Sequence, residues 1–532
     1  MSMPETGKHG TLTTPGQLSN RSSRWVMPVF LLVLLAGFSY VFYSLSGSLE
    51  GVSAVPWILL TAALLLAFIF EFANGFHDTA NAVATVIYTR SMAPQVAVLW
   101  SGLFNFAGAL MASGAVAYGI IALLPVELIT QAGSSTGLAM VFALLLSAIG
   151  WNLGTWALGI PNSSSHTLIG SILGVGLANR FLESSASIAS GIDWGQAEKI
   201  GLTLLISPLV GFIGAAVLLL VMKKLVRSKT LNERASEGSK PPLWIRSLLI
   251  LTCTGVSFAH GSNDGQKGMG LIMLILVGLV PTAFALNQSG NASQMASFRS
   301  ATTQLEQMLE QHAQPLPEAV DHTEEVTEAI KQHHLTPLTP AALAEYLSTI
   351  SADTADYHSF ADVPSDEVNQ LRNDIYITGQ ALQLIEESPL VQLSDSDRQV
   401  ANQYHRAVKA ATEYIPLWVK VAVALALGLG TMIGWKRVVV TVGEKIGRSG
   451  LDYGQGIAAQ AVTMGTILFA DKLGMPASTT HVLSSGVAGT MAAEGSGLQW
   501  STIRNMILAW VLTLPATMTL SFVLFIALGK LF

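Results

Sequence analysis

Runs of about 20 apolar residues, the length an α-helix needs to cross a bilayer, return along the whole chain and constrain its fold more than any other feature. They lie near 27–46, 54–76, 94–121, 137–160, 200–222, 244–259 with 268–287, 416–434, 455–470 and 505–529. Backbone polar groups in lipid must be satisfied within their own segment, so these runs read as helices and the chain as an all-α polytopic membrane protein. Its 51% apolar residues and mean hydropathy of +0.50 over 532 residues exceed what an aqueous core of this size requires. Two shorter runs, 165–180 and 478–492, follow Pro161 and Pro476 and are too short for a comfortable crossing. They read as the inner arms of two re-entrant hairpins.

The formal net charge of −6 hides an asymmetry, because residues 286–412 alone carry 18 Asp/Glu against 6 Lys/Arg. The sequence therefore divides into an N-terminal tail and extra anchor (1–53), a first membrane repeat (54–222), a basic cytoplasmic loop (223–243), the first part of a second repeat (244–287), an acidic extracytoplasmic insert (288–412) and the rest of the second repeat (413–532). The insert has helix-like patches at 303–311 and 366–387, punctuated by Pro337, Pro340 and Pro364, and is expected to be small, helical and partly ordered. Six histidines in it, His333 and His334 among them, are metal-ligand candidates, although surface histidines are the commoner case. A single cysteine, Cys253, excludes an internal disulfide framework, and the lack of a basic stripe with interleaved aromatics argues against nucleic acid as a partner.

Orientation follows from the cations. Arg21 and Arg24 precede the first apolar run, which is long for a cleaved signal and reads as a retained anchor with residue 47 outside. The loop from Lys223 to Arg246 and the segment holding Lys436, Arg437, Lys445 and Arg448 are both basic and expected inside. With 137–180 entering and leaving from outside, parity and charge agree, and the run at 244 starts on the side opposite to the run at 54.

Two motifs occur twice. Glu71-Phe-Ala-Asn-Gly-Phe-His-Asp78-Thr-Ala-Asn81-Ala82 aligns with Ser257-Phe-Ala-His-Gly-Ser-Asn-Asp264-Gly-Gln-Lys267-Gly268, and Pro161-Asn-Ser-Ser-Ser-His166 with Pro476-Ala-Ser-Thr-Thr-His481. Asp78 and His166 are 88 residues apart, Asp264 and His481 are 217 apart, and the excess is close to the length of the insert. Two copies of one plan starting on opposite sides form an inverted-topology repeat, in which ligands bind near the midplane where helices are interrupted. The aspartate motifs are accordingly expected at helix breaks.

A carboxylate in a bilayer costs roughly 2.5–3.5 kcal/mol on insertion scales, so Asp78 and Asp264 call for a cation, a proton or a fixed partner. Glu71 and His77 are further coupling-ion candidates, and Glu71 has an equally good structural reading. Asn81 and Lys267 occupy one position of the repeat; amide and ammonium both suit an anion, while a Lys267–Asp264 ion pair is the plainer alternative. Asn263 and Gln266 of the second copy are further phosphate-binding candidates. Ser163, Ser164, Ser165, Ser478, Thr479 and Thr480 are natural N-caps, yet two helix N-termini with three hydroxyls apiece also make a neutral, reversible cradle for an oxyanion. His77, His166, His260 and His481 are each more ordinary as hydrogen-bonded core histidines, but beside an anion site they suit proton coupling.

These motifs resemble the inorganic phosphate transporter (Pit) family, whose signature is a Gly-Ala-Asn-Asp type motif present once in each half. Here Asn74-Gly-Phe-His-Asp78-Thr-Ala-Asn81-Ala82 and His260-Gly-Ser-Asn-Asp264-Gly-Gln-Lys267-Gly268 stand in those places. The resemblance extends over about 54–287 and 414–529, and the Phe-His-Asp and Gly-Gln-Lys variants with an insert in the second half are similar to the bacterial low-affinity type. It implies a two-half secondary transporter of the bacterial inner membrane. Inorganic phosphate would be carried by proton symport with alternating access, as the free ion or as a neutral complex with a divalent metal. It also implies that the aspartate motifs and hydroxyl hairpins form the phosphate and ion sites, and no cofactor is called for. His77 stands where sodium-coupled relatives usually have Asn, which favours protons over sodium. Sodium-coupled symport is the alternative within the family, a homo-oligomer is compatible with it, and an intramembrane hydrolase built on Ser, His and Asp is the alternative from another class. A hydrolase, however, needs one nucleophile and one base in a fixed arrangement, not a symmetric pair of hydroxyl runs.

Overall fold

The computed structural model describes residues 26–49, 56–123, 134–182, 192–226, 228–234, 240–317, 319–332, 334–433, 435–448 and 450–531. His333 and the first 25 residues lie outside them. The membrane body contains α1 (Val26–Ser48), α2 (Trp57–Tyr88), α3 (Pro94–Met111), α4 (Ala115–Ile121), α5 (Ser135–Ala157), α6 (Ser164–Leu182), α7 (Trp194–Leu225) and α8 (Leu243–Leu279). After the insert helices α9 (Ala292–His312), α10 (His322–Gln332), α11 (Thr339–Asp353), α12 (Val368–Glu387) and α13 (Asp395–Thr412) come α14 (Leu417–Met432), α15 (Tyr453–Lys472), α16 (Thr479–Glu494) and α17 (Trp500–Leu528).

Among the described residues six helices, α2, α3, α5, α7, α8 and α17, are long and apolar enough to cross a membrane. The outward faces of α7 and α17 are apolar, with Leu205, Leu209 and Ile213 on one and Ile507, Val511 and Leu512 on the other exposed. Such continuous apolar exposure has a favourable environment in lipid and an unfavourable one in water.

Helix packing follows the sequence repeat. The helix of the first aspartate motif, α2, packs on α14, and that of the second, α8, packs on α3. The helices flanking each proline motif pack on each other, α5 on α6 and α15 on α16. α6 then lies against α17 and α16 against α7, while α2 and α8 meet at the centre.

Three expectations need correction. The aspartate motifs do not interrupt their helices: α2 runs unbroken for 32 residues and α8 for 37, so the separate runs at 244–259 and 268–287 belong largely to one helix. No proline occurs in either, and the motif glycines serve close approach instead. A Cβ on Gly75 would fall on the Leu427 carbonyl, and one on Gly261 on the Asn105 backbone. The run at 94–121 is two helices, parted at Ala112–Gly114, where Gly114 takes a left-handed φ of 96° and Lys420 donates from Nζ to the Ala112 carbonyl at 2.8 Å. The insert is a packed five-helix module with its own core, including Phe298, Leu305, Leu347, Phe360, Ile375 and Tyr404. Its amphipathic helices bury enough apolar surface to order it.

Among the described residues, two of the insert's histidines pair with carboxylates across helices, His312 with Asp397 at 3.2 Å and His405 with Glu386 at 2.9 Å. Residues at its two ends are bonded together, Asn287 N donating to the Ala411 carbonyl at 2.8 Å.

Candidate functional site

Four segments far apart in sequence meet at the centre of the body. α2 supplies Asp78 and Asn81, α8 supplies His260, Asp264 and Lys267, the N-terminus of α6 supplies Ser164, and that of α16 supplies Thr480. All seven are nine-tenths or more buried.

The two aspartates share the Ser164 hydroxyl as a donor and face the His260 ring together. Ser164 Oγ lies 3.3 Å from Asp78 Oδ2 and 3.3 Å from Asp264 Oδ2, and His260 Nε2 lies 3.6 Å and 3.4 Å from the same two oxygens. Lys267 Nζ bonds Asp264 Oδ2 at 2.7 Å and Ser164 Oγ at 3.1 Å. On the other side, Asn81 Nδ2 donates to Asp78 Oδ1 at 3.0 Å and to Thr480 Oγ1 at 2.8 Å, and the Thr480 hydroxyl donates to Asp78 Oδ1. Behind this group His260 Nδ1 and Asn105 Oδ1 are 2.7 Å apart, which fixes the ring. With His260 neutral, its one proton on Nδ1 against Asn105, two carboxylates and one ammonium leave a single negative charge unbalanced in a dry interior, which a second proton on the ring would cancel. A proton or a bound cation would neutralise it. One ligand atom each from Asp78, His260 and Asp264 lie within 4.8 Å of one another, a carboxylate-rich set that suits a small cation.

The hydroxyl runs divide in purpose. Ser163 and Ser478 are caps, their oxygens accepting from the backbone N–H of His166 and His481 at 3.2 Å each. Ser165 Oγ donates to the Ala477 carbonyl at 2.9 Å and ties one tip to the other. Thr479 Oγ1 is buried without a hydrogen-bond partner, and only Ser164 and Thr480 reach the aspartates. The rings of His166 and His481, at matching places in the two proline motifs, lie tilted against each other with centroids 4.5 Å apart, and His481 stacks on Trp510 at 4.2 Å.

The remaining sequence-selected residues stand one layer out. Asn263 pins the break before α16, donating to the Met475 carbonyl at 3.0 Å and accepting from Ala477 N at 3.2 Å. Gln266 bonds Asp471 Oδ1 at 2.5 Å, the Ser262 carbonyl at 2.8 Å and Val116 N at 2.9 Å, so it joins α8 to α4 and α15. His77 Nε2 lies 3.4 Å from Thr155 Oγ1. Glu71 is fully buried against Gly268, and neither of its carboxylate oxygens has a hydrogen-bond partner. Asn105 and Asp471 escaped the sequence reading. Each lies outside the repeated motifs, and the equivalent of Asp471, five residues before Pro161, is Trp156.

A family model described as the phosphate transporter family matches residues 74–521, which takes in all four motifs. The chain belongs to the phosphate transporter family. Among its phosphate transporter relatives, the low-affinity inorganic phosphate transporters PitB and PitA of Escherichia coli (strain K12) are each 42% identical to it. The matches cover 88% of this chain and 97% of PitB, and 87% and 95% for PitA. The probable low-affinity inorganic phosphate transporter of Bacillus subtilis (strain 168) is 26% identical over 89% of this chain and 98% of its own. A solved structure of a sodium-dependent phosphate transporter has a similar fold, with a TM-score of 0.50, 21% identity, and coverage of 89% of this chain and 100% of its own. As a member of the phosphate transporter family the chain is a transporter and not an enzyme, which removes the hydrolase alternative.

Proposed function

We propose that the chain imports inorganic phosphate across the bacterial inner membrane by proton symport, its two halves alternating access to a midplane site. The observation that carries this reading is the convergence of Asp78 and Asp264, one from each motif copy, on the Ser164 hydroxyl and the His260 ring. Its support is physical. An oxyanion brought to the tips of α6 and α16 gains helix-terminal N–H groups and hydroxyls without meeting an arginine clamp that would retard release. A proton taken up with it offsets the unbalanced carboxylate.

The matched packing of α2 with α14 and α8 with α3, and of the two proline-broken pairs, supports an inverted repeat with α5–α6 and α15–α16 as re-entrant hairpins. In that arrangement the insert faces outside, and the loops around Lys223 and Lys445 face the cytoplasm. The ligand set of Asp78, His260 and Asp264 favours a second form of the same reading, in which a divalent metal enters with phosphate as a neutral complex and these residues meet the metal.

Counterflow of labelled phosphate in proteoliposomes tests both. Proton symport requires that a protonophore abolish accumulation while removal of sodium leaves it intact; the reverse pattern would establish sodium coupling. Metal–phosphate carriage requires uptake of labelled divalent metal in fixed proportion to phosphate.

A further inference from the structure

A cavity with a volume of about 630 Å³ lies between the insert and the membrane body. One wall is α12 and α13 of the insert; the others are α4, the start of α7 and the outer end of α8. The insert is seated there firmly. Val277 packs against both hydrophobic cores, Tyr376 of the insert packs against the membrane core, and Tyr118 OH donates to the Tyr414 carbonyl at 2.6 Å.

Two features of this cavity stand out. The first is its sign. The insert as a whole is strongly acidic, yet the charged groups lining the cavity are Lys199, Arg372, Lys409 and Lys472 against the single carboxylate of Glu413. Two of the six cations in 286–412 are spent here, facing two lysines contributed by the body. The second is its floor. Leu473, Gly474 and Met475 line the bottom, and the Met475 carbonyl accepts from Asn263, the residue preceding Asp264. The turn that closes the cavity is therefore the turn that carries the hydroxyl run into the central site. Gly474 holds it with a left-handed φ of 69°.

We infer that this cavity is an anion-collecting vestibule, which concentrates phosphate oxyanions between the insert and the body and delivers them to the turn at 473–477. The inference rests on the phosphate-transport reading and adds a role for the insert. A cleft of one sign with low-dielectric walls focuses the field on its mouth and raises the local concentration of counter-ions. The acidic outer surface of the insert repels anions elsewhere, so the basic wall directs them inward. None of the vestibule cations is among the partners that hold the central aspartates, so they govern capture and leave the translocation step untouched.

The test is phosphate uptake by full-length protein in proteoliposomes oriented with the insert outward. In K409Q/K472Q, both exposed positions, KM for phosphate should rise by about three-fold or more at an ionic strength near 10 mM, with the maximal rate retained. The difference should fall below about two-fold at 0.3 M salt, where screening shortens the range of the charges to a few ångströms. R372Q added to that pair should raise KM further. K331Q/R398Q, exposed cations of the insert outside the cavity, should leave KM unchanged. An unchanged KM in K409Q/K472Q at low salt, an equal effect in K331Q/R398Q, or a KM difference that does not shrink with salt would each overturn the inference. Failure of the phosphate reading itself would look different, as wild-type protein without phosphate uptake at any salt concentration.

Discussion

Lys267 is completely buried, and an ammonium without water persists only where its donors are used. Here it bonds Asp264 at 2.7 Å and Ser164 at 3.1 Å, so the ion pair offered as its plainer alternative is formed. An arriving phosphate would compete with Asp264 for the ammonium, and the aspartate would then need a proton or cation. Asp78→Ala and Asp264→Ala should each abolish coupled uptake, at least about ten-fold, since removing one partner of a buried pair leaves the other charge uncompensated. Ser164→Ala and Thr480→Ala should instead raise KM for phosphate first, by roughly the five- to ten-fold expected for one lost hydrogen bond to a charged group. Initial-rate uptake over a range of phosphate separates the two classes. In the insert, burial raises the carboxyl of Asp374 above its usual range, although the Tyr346 hydroxyl donates to it at 2.7 Å. A raised folded pKa means the insert binds this proton more tightly folded than unfolded, so the penalty is absent below the ordinary aspartate range and grows as pH rises above it. Asp374→Asn should therefore protect the insert from limited proteolysis in the full-length protein at pH 7, and give no advantage near pH 3.5.

At the scale of elements, the central helices are continuous because their glycines do a different job from the one a broken helix would require. α2 and α14 approach at Gly75 and Gly430, and α8 and α3 at Gly261 and Gly108, where an added methyl meets backbone of the opposite helix. Backbone cannot move aside as a side-chain tip can. Gly75→Ala and Gly261→Ala should each destabilise the protein by about 1–3 kcal/mol, the usual cost of overpacking, and lower its melting temperature in detergent. Gly150→Ala and Gly465→Ala, where nothing lies within 4 Å of the new methyl, are the controls and should be neutral or slightly stabilising. Equal melting of all four would remove the close-approach explanation for the motif glycines.

For the whole molecule, the insert is an addition whose ends meet: Asn287 holds both Ala411 and Ala410, with its side chain donating to the latter at 3.1 Å. Replacing 289–409 by a short Gly-Ser linker should leave a folded membrane body that still takes up phosphate, with a raised KM because one wall of the basic cavity is gone. Loss of all uptake from a protein of unchanged thermal stability would instead place the insert inside the transport mechanism.

How much of this was legible beforehand depended on which residues carried a repeated signal. Asp78 and Asp264, Ser164 and Thr480 stand at matched positions of a duplicated motif, and a duplicated polar residue within an apolar run is conspicuous because lipid penalises it. His260 was visible in its motif but stood opposite Asn74, while Asn105 and Asp471 had no twin and looked like ordinary polar residues of a helix. The sequence by itself determined the helical class, the family and the four motifs, because hydrophobic length and motif content are properties of the chain. Only the tertiary structure decided that α2 and α8 run unbroken, that Ser164 bridges the two aspartates while Ser163 and Ser165 do not, and that an acidic insert presents a basic face to the body. Those outcomes depend on which side of a helix meets which neighbour, and periodicity along one chain does not specify distances between segments hundreds of residues apart.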